Sequence, residues 1–131
     1  MSILTRARLA ELKVIFRPLD AEEKPKDRSD QARFTPFAVE LLDGLRSYGS
    51  SRDWSGWMEA QKKRVGSADG FDTICAVLPD ASLEDVRLAV LALFRSERFS
   101  EGTLFAAQKH GVFLNICERL ETLLYGEEAT T

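Results

Sequence analysis

The chain of 131 residues is mildly acidic, with 18 Lys and Arg against 21 Asp and Glu, and it carries one His and two Cys. A hydrophobic fraction of 44% and a charged fraction of 30% are those of an ordinary globular domain, which excludes a disordered or fibrous chain. The cysteine and histidine content excludes a zinc site of three or four soft ligands within the chain, unless His110, Cys75 and Cys117 all take part. We therefore expect neither a metal nor a cofactor.

The first predicted helix, residues 3–16, is apolar on two sides. One stripe consists of Ile3, Ala7, Ala10 and Val14, and the nearly opposite stripe consists of Leu9, Leu12 and Phe16. A helix that is apolar on two sides either lies between layers or lends one side to a partner. We expect a second copy of the chain, or another protein, to bind at Leu9, Leu12 and Phe16.

Residues 17–34 are strongly charged. Ten of the seventeen residues up to Arg33 carry a charge, and two others are prolines. Such a stretch cannot bury enough apolar surface to offset the entropy lost on ordering. The composition predicts an exposed charged loop.

Three helices are predicted in the middle of the chain. Thr35 as N-cap, followed by a proline, starts the first of them, and Gly49 ends it. Asp53 caps the next helix, which ends near Gly66. A short helix then covers about 72–78 and ends before a proline.

The most apolar predicted helix, residues 83–97, starts at a capping box formed by Ser82 and Asp85. Because it carries apolar residues on two faces, we place it in the centre of the fold. Ser100 is the predicted N-cap of the helix that follows, which runs to about His110.

The last predicted helix covers about 112–125, and residues 126–131 form a frayed tail. No segment predicts a strand. The short connections between successive helices indicate an all-α fold, a single-domain irregular or orthogonal helical bundle of six or seven helices over residues 1–131.

The C-terminal two-thirds of the chain also carries a pattern of specific residues. Its members in chain order are Asp53-Trp54-x-x-Trp57, Arg95-x-x-Arg98-Phe99-x-Glu101-Gly102-x-Leu104, Gly111, Ile116, Arg119 and Leu120. This pattern resembles an uncharacterised bacterial family, the domain-of-unknown-function family six-five-zero-eight, over about residues 37–124. The resemblance implies a compact helical domain of bacterial or phage-related origin and brings no activity, cofactor or catalytic residue. The first 35 residues lie outside it, so we expect the charged loop to be particular to this chain.

Four charged or titratable residues lie at one predicted helix–helix junction or at the far end of the helix that follows it: Arg95, Arg98, Glu101 and His110. Together they would bind an anion, because Arg forms bidentate hydrogen bonds with phosphate or carboxylate. The same charges would also stabilise the junction itself, since cations favour a helix C-terminus and anions an N-terminus. The sequence leaves open whether they form a ligand-binding pocket or a structural joint.

Trp54 and Trp57 are the two tryptophans, and they lie three residues apart on one helical face. Trp is favoured at binding sites, and it also contributes large apolar area to a core. Both interpretations, ligand-binding residues and core residues, stay open.

Function is constrained mainly by missing motifs, since the sequence has no nucleophile elbow, phosphate-binding loop or metalloprotease motif. We predict a non-enzymatic helical interaction module that self-associates, for example as a homodimer, or binds a protein partner. One alternative is a small anionic-ligand-binding protein or enzyme that uses the arginine-containing cluster. Another is a weak nucleic-acid binder that uses Arg6, Lys13 and Arg17 on one helical face.

The charge balance makes nucleic acid the less favoured partner. Residues 1–66 hold 13 basic and 10 acidic side chains, a small excess for a function that depends on phosphate neutralisation. No apolar run approaches the roughly 20 residues that cross a bilayer, and the N-terminal residues lack a secretory h-region. We expect a cytoplasmic protein without a membrane partner.

Overall fold

A computed structural model describes residues 4–17, 19, 22, 24, 26, 27, 29, 32–49, 53–99 and 102–126, with the backbone alone at 97–99. Its helices are α1 (Arg6–Ile15), α2 (Thr35–Gly44), α3 (Trp54–Val65), α4 (Gly70–Val77), α5 (Leu83–Phe99), α6 (Thr103–Lys109) and α7 (Val112–Tyr125). A 3₁₀ turn, Leu78–Asp80, joins α4 to α5. No strand occurs among these residues, and the predicted all-α class is confirmed.

Helix α5, predicted to be central, packs against four other helices, α2, α3, α6 and α7. Val86, Val90 and Leu93 on this helix are buried. Helices α1 and α7 also pack together, and the rings of Phe16 and Phe113 stack with centroids 4.9 Å apart. One apolar cluster therefore joins the N-terminal and C-terminal helices.

Helix α1 turns one of its two apolar stripes into this core. Leu9, Leu12 and Phe16 are fully buried. The prediction that these three residues present a partner surface is therefore wrong, because burying large aliphatic and aromatic side chains removes more apolar area from water than burying alanines. The outward-facing stripe includes Ala7, Ala10 and Val14, of which Val14 is 70% exposed.

Several helix ends follow the predicted capping signals. At the start of α3, Asp53 Oδ1 accepts a hydrogen bond from the Gly56 backbone N–H at 3.0 Å. At the start of α5, the Ser82 hydroxyl accepts the Asp85 backbone N–H at 3.1 Å, and the Asp85 carboxylate accepts the Ser82 backbone N–H at 3.2 Å. Gly66 ends α3 in the left-handed conformation, with φ of 72°. These predictions are confirmed because each cap depends only on residues a few positions away.

The end of α2 differs from the prediction. The helix ends at Gly44 rather than at Gly49. Glycine is a poor helix former, and the Leu4 side chain occupies the space where a larger residue would place its Cβ. The chain then tightens into turns with i→i+3 hydrogen bonds, such as Arg46 N–H to the Asp43 carbonyl. The start differs by one residue, since Phe34 lies at the N-cap and the predicted cap Thr35 is already helical.

Two other helix starts also differ. Helix α4 begins at Gly70 rather than near residue 72, because Asp69 Oδ1 accepts the backbone N–H groups of the first turn at 2.8 and 3.0 Å. Helix α6 begins at Thr103, with Gly102 at the N-cap position and φ of 95°. The predicted cap of α6, Ser100, lies outside the described residues.

The charged segment 17–34 is attached to the core at both of its ends. Phe34 is 4% exposed and packs against Phe16 and Phe105, with ring centroids 6.1 and 5.9 Å apart. At the other end, Gln108 Nε2 donates to the Arg17 carbonyl at 2.6 Å. The prediction of an exposed loop over 17–34 is therefore wrong at Phe34, because one aromatic residue outweighs the polar average of its segment.

The two ends of the described fold lie side by side. Tyr125, the last residue of α7, donates its hydroxyl to the Leu4 carbonyl at 2.7 Å. Residues 127–131 of the predicted frayed tail lie outside the described part of the chain. Within the described residues, no helix has both the length and the hydropathy needed to cross a bilayer.

Candidate functional site

A groove between α5 and the end of α2 gathers three arginines. Its volume is about 500 Å³, and we call it the arginine groove. The residues that line it are Leu42, Asp43, Arg46, Gly49, Arg87, Leu91 and Arg95. Because Arg87, Leu91 and Arg95 are spaced four residues apart, they follow one face of α5.

Arg87 lies deepest among the arginines of the groove, since the residue is only 8% exposed. Beside it, the chain passes so closely at Gly49 that a Cβ there would lie 2.7 Å from Glu84 Oε2 and 3.0 Å from Arg87 Nε. Glycine at this position therefore lets the backbone after α2 come close to α5. This close approach forms one side of the arginine groove.

Arg46 lies at the outer edge of the groove. Its Nη2 donates to Asp43 Oδ1 at 2.6 Å, and its side chain is 78% exposed. Asp43 is the one acidic residue among the described residues that line the groove, and the Glu84 carboxylate lies beside Arg87 at the edge formed by Gly49. Leu42 and Leu91 add apolar surface.

This arrangement suits the binding of an anion that also has an apolar part. Guanidinium groups donate paired hydrogen bonds to phosphate or carboxylate oxygens, and the leucines would contact an apolar part of the same molecule. Among the described residues that line the groove there is no His, Cys, Ser, Thr or Lys that would act as a nucleophile or as a histidine base.

The structure separates two members of the predicted cluster. Arg95 lines the arginine groove, whereas His110 Nε2 lies 2.8 Å from Asp72 Oδ1 and its ring is 5.5 Å from that of Phe71. His110 therefore joins the end of α6 to the start of α4. The side chain of Arg98 and the whole of Glu101 lie outside the described residues.

Sequence reasoning missed Arg46 and Arg87 as members of the site. The spacing of Arg87, Leu91 and Arg95 was a usable signal for one charged helical face. Arg46 offered no such signal, because it approaches α5 only through the turns that follow α2.

The two tryptophans have different surroundings. Trp57 Nε1 donates to Asp85 Oδ1 at 3.0 Å, so this indole supports the capping box of α5 and its ring packs on the core. Trp54 lines a second cavity, of about 360 Å³, which we call the tryptophan cleft. Its apolar lining residues are Trp54, Met58, Phe71 and Ala92, and Ser55 and Ser96 are among its polar ones.

Neither cysteine has the environment of a nucleophile. Burial raises the pKa of the Cys75 thiol, and Asp72 and Asp69 raise it further, while a hydrogen bond from Asn115 opposes them. Burial raises the pKa of Cys117 to about 12. Within the described residues, His110 and the cysteines belong to no group of three or more His, Cys, Asp or Glu that could hold a metal ion.

Comparison with known proteins identifies one family. A family model described as a family of unknown function (DUF6508) matches residues 21–125. No curated protein and no solved structure matches the chain. The match begins within the charged segment, so the expectation that this segment is particular to this chain is wrong from residue 21 onwards.

Proposed function

This chain belongs to the family of unknown function DUF6508, and we propose that it is a binding module whose arginine groove takes a small amphipathic anion. The ligand carries a phosphate or carboxylate group together with an apolar part. The observation that supports this proposal is the gathering of Arg46, Arg87 and Arg95 around one cavity of about 500 Å³.

Two features favour a specific site over a diffuse basic surface. Arg87 is almost buried, so its guanidinium is held in place before any ligand arrives, and such preorganisation reduces the entropy cost of binding. Leu42 and Leu91 extend the site with apolar surface, and ligand sites generally combine apolar walls with a few polar groups. The volume also lies within the range of about 300–1,000 Å³ typical of small-molecule sites.

Isothermal titration calorimetry with phenyl phosphate and with inorganic phosphate tests the proposal. We expect phenyl phosphate to bind more tightly, because the leucines contact its ring. Arg95→Gln should weaken phenyl phosphate binding at least tenfold, since hydrogen bonds to charged groups contribute about 1.5–3 kcal/mol.

Arg64→Gln is the matched control for Arg95→Gln. Arg64 lies on α3, donates to Gln61 at 3.0 Å and does not line the arginine groove, so its replacement removes the same charge elsewhere. Equal losses in the two variants would mean that the probe senses only overall charge, and the proposal would fail. It would also fail if neither probe bound the wild-type chain at low salt.

Protein association stays a prediction, but its candidate surface is the exposed stripe of α1 and no longer the buried residues Leu9, Leu12 and Phe16. The stripe of Ala7, Ala10 and Val14 is available for contact with a second copy or a protein partner, and the 70% exposure of Val14 favours it. For nucleic acid, Lys13 is a weak candidate because its Nζ lies 2.9 Å from Glu121 Oε1. Light scattering of the wild type and of Val14→Asp would show whether this stripe supports self-association.

A further inference from the structure

Helix α5 borders a second cavity on its other flank. Ser96 lines the tryptophan cleft, although its neighbour Arg95 lines the arginine groove. We propose that the tryptophan cleft binds a planar, uncharged heteroaromatic molecule of about two fused rings that carries a hydrogen-bond acceptor. This site is separate from the proposed anion site and is tested without reference to it.

The charged side chains that line the cleft each already have a partner within the protein. Lys62 Nζ lies 3.6 Å from Glu59 Oε2. Asp69 Oδ1 accepts the backbone N–H groups of Phe71 and Asp72 at the start of α4. A charged ligand would have to compete with these partners, whereas an uncharged ring would use the apolar surface between them.

That apolar surface is formed by a large flat ring and its neighbours. Trp54 and Phe71 are half-buried, Met58 is half-buried beside them, and Ala92 is buried. Aromatic rings favour offset stacking or edge-to-face packing, and a thioether packs well against a ring edge. A planar aromatic ligand matches this lining better than a flexible aliphatic one.

The Trp54 indole supplies the polar preference. Trp57 donates its indole N–H to Asp85, but no hydrogen bond from Trp54 Nε1 to a described residue is present. An indole N–H is a donor only, so its complement is an acceptor on the ligand. A ring nitrogen with a lone pair meets this requirement.

The volume sets the size of the ligand. A cavity of about 150 Å³ accommodates benzene, and the tryptophan cleft measures about 360 Å³. Two fused rings therefore fit with room for a substituent. Affinity should be modest, with a Kd of about 1 mM for a probe of this size.

Two probes of equal size test the acceptor requirement at mildly alkaline pH. Benzimidazole has a ring nitrogen acceptor, and indole has none. We expect benzimidazole to bind about three- to tenfold more tightly, the effect of one neutral hydrogen bond. In ¹H–¹⁵N spectra of the wild-type chain, the indole N–H signal of Trp54 should move with saturation and that of Trp57 should not.

Variants separate stacking from hydrogen bonding. Trp54→Phe keeps a ring and removes the donor, so the preference for benzimidazole over indole should disappear. Trp57→Phe is the control and should retain the preference. Ser96→Leu fills the cleft and should abolish binding of both probes. If Ser96→Leu misfolds, Trp54→Phe and Trp57→Phe still test the proposal, with far-UV circular dichroism as the check that both are folded.

Three results would overturn the proposal. The first is no saturable binding of benzimidazole at about 5 mM, where a site with a Kd of about 1 mM is mostly filled. The second is an undiminished preference for benzimidazole in Trp54→Phe. The third is tighter binding of tetramethylammonium than of benzimidazole, which would identify the cleft as a cation site.

Discussion

Arg8 donates two hydrogen bonds to Glu40, from Nε to Oε2 at 2.6 Å and from Nη2 to Oε1 at 2.7 Å, and so joins α1 to α2. Arg8 holds the pKa of the Glu40 carboxyl below its ordinary value of 4.5, although partial burial acts in the opposite direction. A carboxyl whose pKa is lowered by folding stabilises the native state above its unfolded pKa. That contribution is lost as the pH falls below about 4.5 through the folded-state pKa.

We therefore expect Glu40→Gln to lower the free energy of unfolding by about 1 kcal/mol at neutral pH, a value reduced by the partial exposure of both side chains. Urea unfolding from neutral pH down to about pH 3 should show the gap between wild type and variant closing as Glu40 becomes protonated. Glu11→Gln is the control, since Glu11 is 66% exposed and its contact with Arg8 is 3.3 Å long. A gap that stays constant over this range would contradict the assignment.

The capping residue Asp85 accepts hydrogen bonds from two directions. It receives the Trp57 indole N–H at 3.0 Å and the Ser82 backbone N–H at 3.2 Å. Trp57→Phe should cost about 1 kcal/mol and Asp85→Ala about 2 kcal/mol in chemical unfolding. In the double variant the costs should be less than additive, because Asp85→Ala already removes the bond to Trp57. Full additivity would mean that this bond contributes nothing in solution.

Substitutions in the two apolar stripes of α1 should change the free energy of unfolding by very different amounts. Phe16→Ala removes a fully buried ring and should destabilise the fold by about 3–5 kcal/mol. Val14→Ala, on the exposed stripe, should change the free energy of unfolding by less than about 0.5 kcal/mol. Thermal and urea unfolding measure both, and a large cost for Val14→Ala in dilute protein would show that the stripe is covered.

The two thiols should react slowly with iodoacetamide. With a pKa of about 12, on the order of one Cys117 thiol in ten thousand is ionised at about pH 8. Cys75 is half-buried and its raised pKa also keeps it protonated, but it is more accessible. Mass spectrometry should therefore find slow labelling of Cys75 first and labelling of Cys117 only on unfolding. Rapid labelling of either native thiol at neutral pH would contradict the burial assigned here.

The sequence predicted those features that depend on short stretches of chain. The caps at Asp53 and Ser82 were predictable because donor and acceptor lie within three residues of each other. The sequence did not show which stripe of α1 is buried, because both stripes have helical spacing and the outcome depends on contacts with distant residues such as Phe113.

The candidate site was predictable only in part, for a related reason. Arg95 was recognised from its place in the helix, but the groove also needs Arg46 from the turns after α2. His110 was grouped with Arg95 because Arg95 lies at the predicted junction and His110 at the far end of the helix that follows it. In the structure, His110 instead pairs with Asp72 on α4. Neighbours along the chain do not determine which groups meet across helices.

The hydrogen bond from Tyr125 to the Leu4 carbonyl holds the two ends of the described fold next to each other. Domains whose ends lie side by side tolerate circular permutation when the new ends fall in an exposed connection. A short linker across Leu4 and Tyr125 would let the chain be opened between Lys26 and Asp27, which are both exposed. The helix order in sequence would change, while the packing of α1 against α7 would become local in sequence, so such a permutant should fold faster than the natural order.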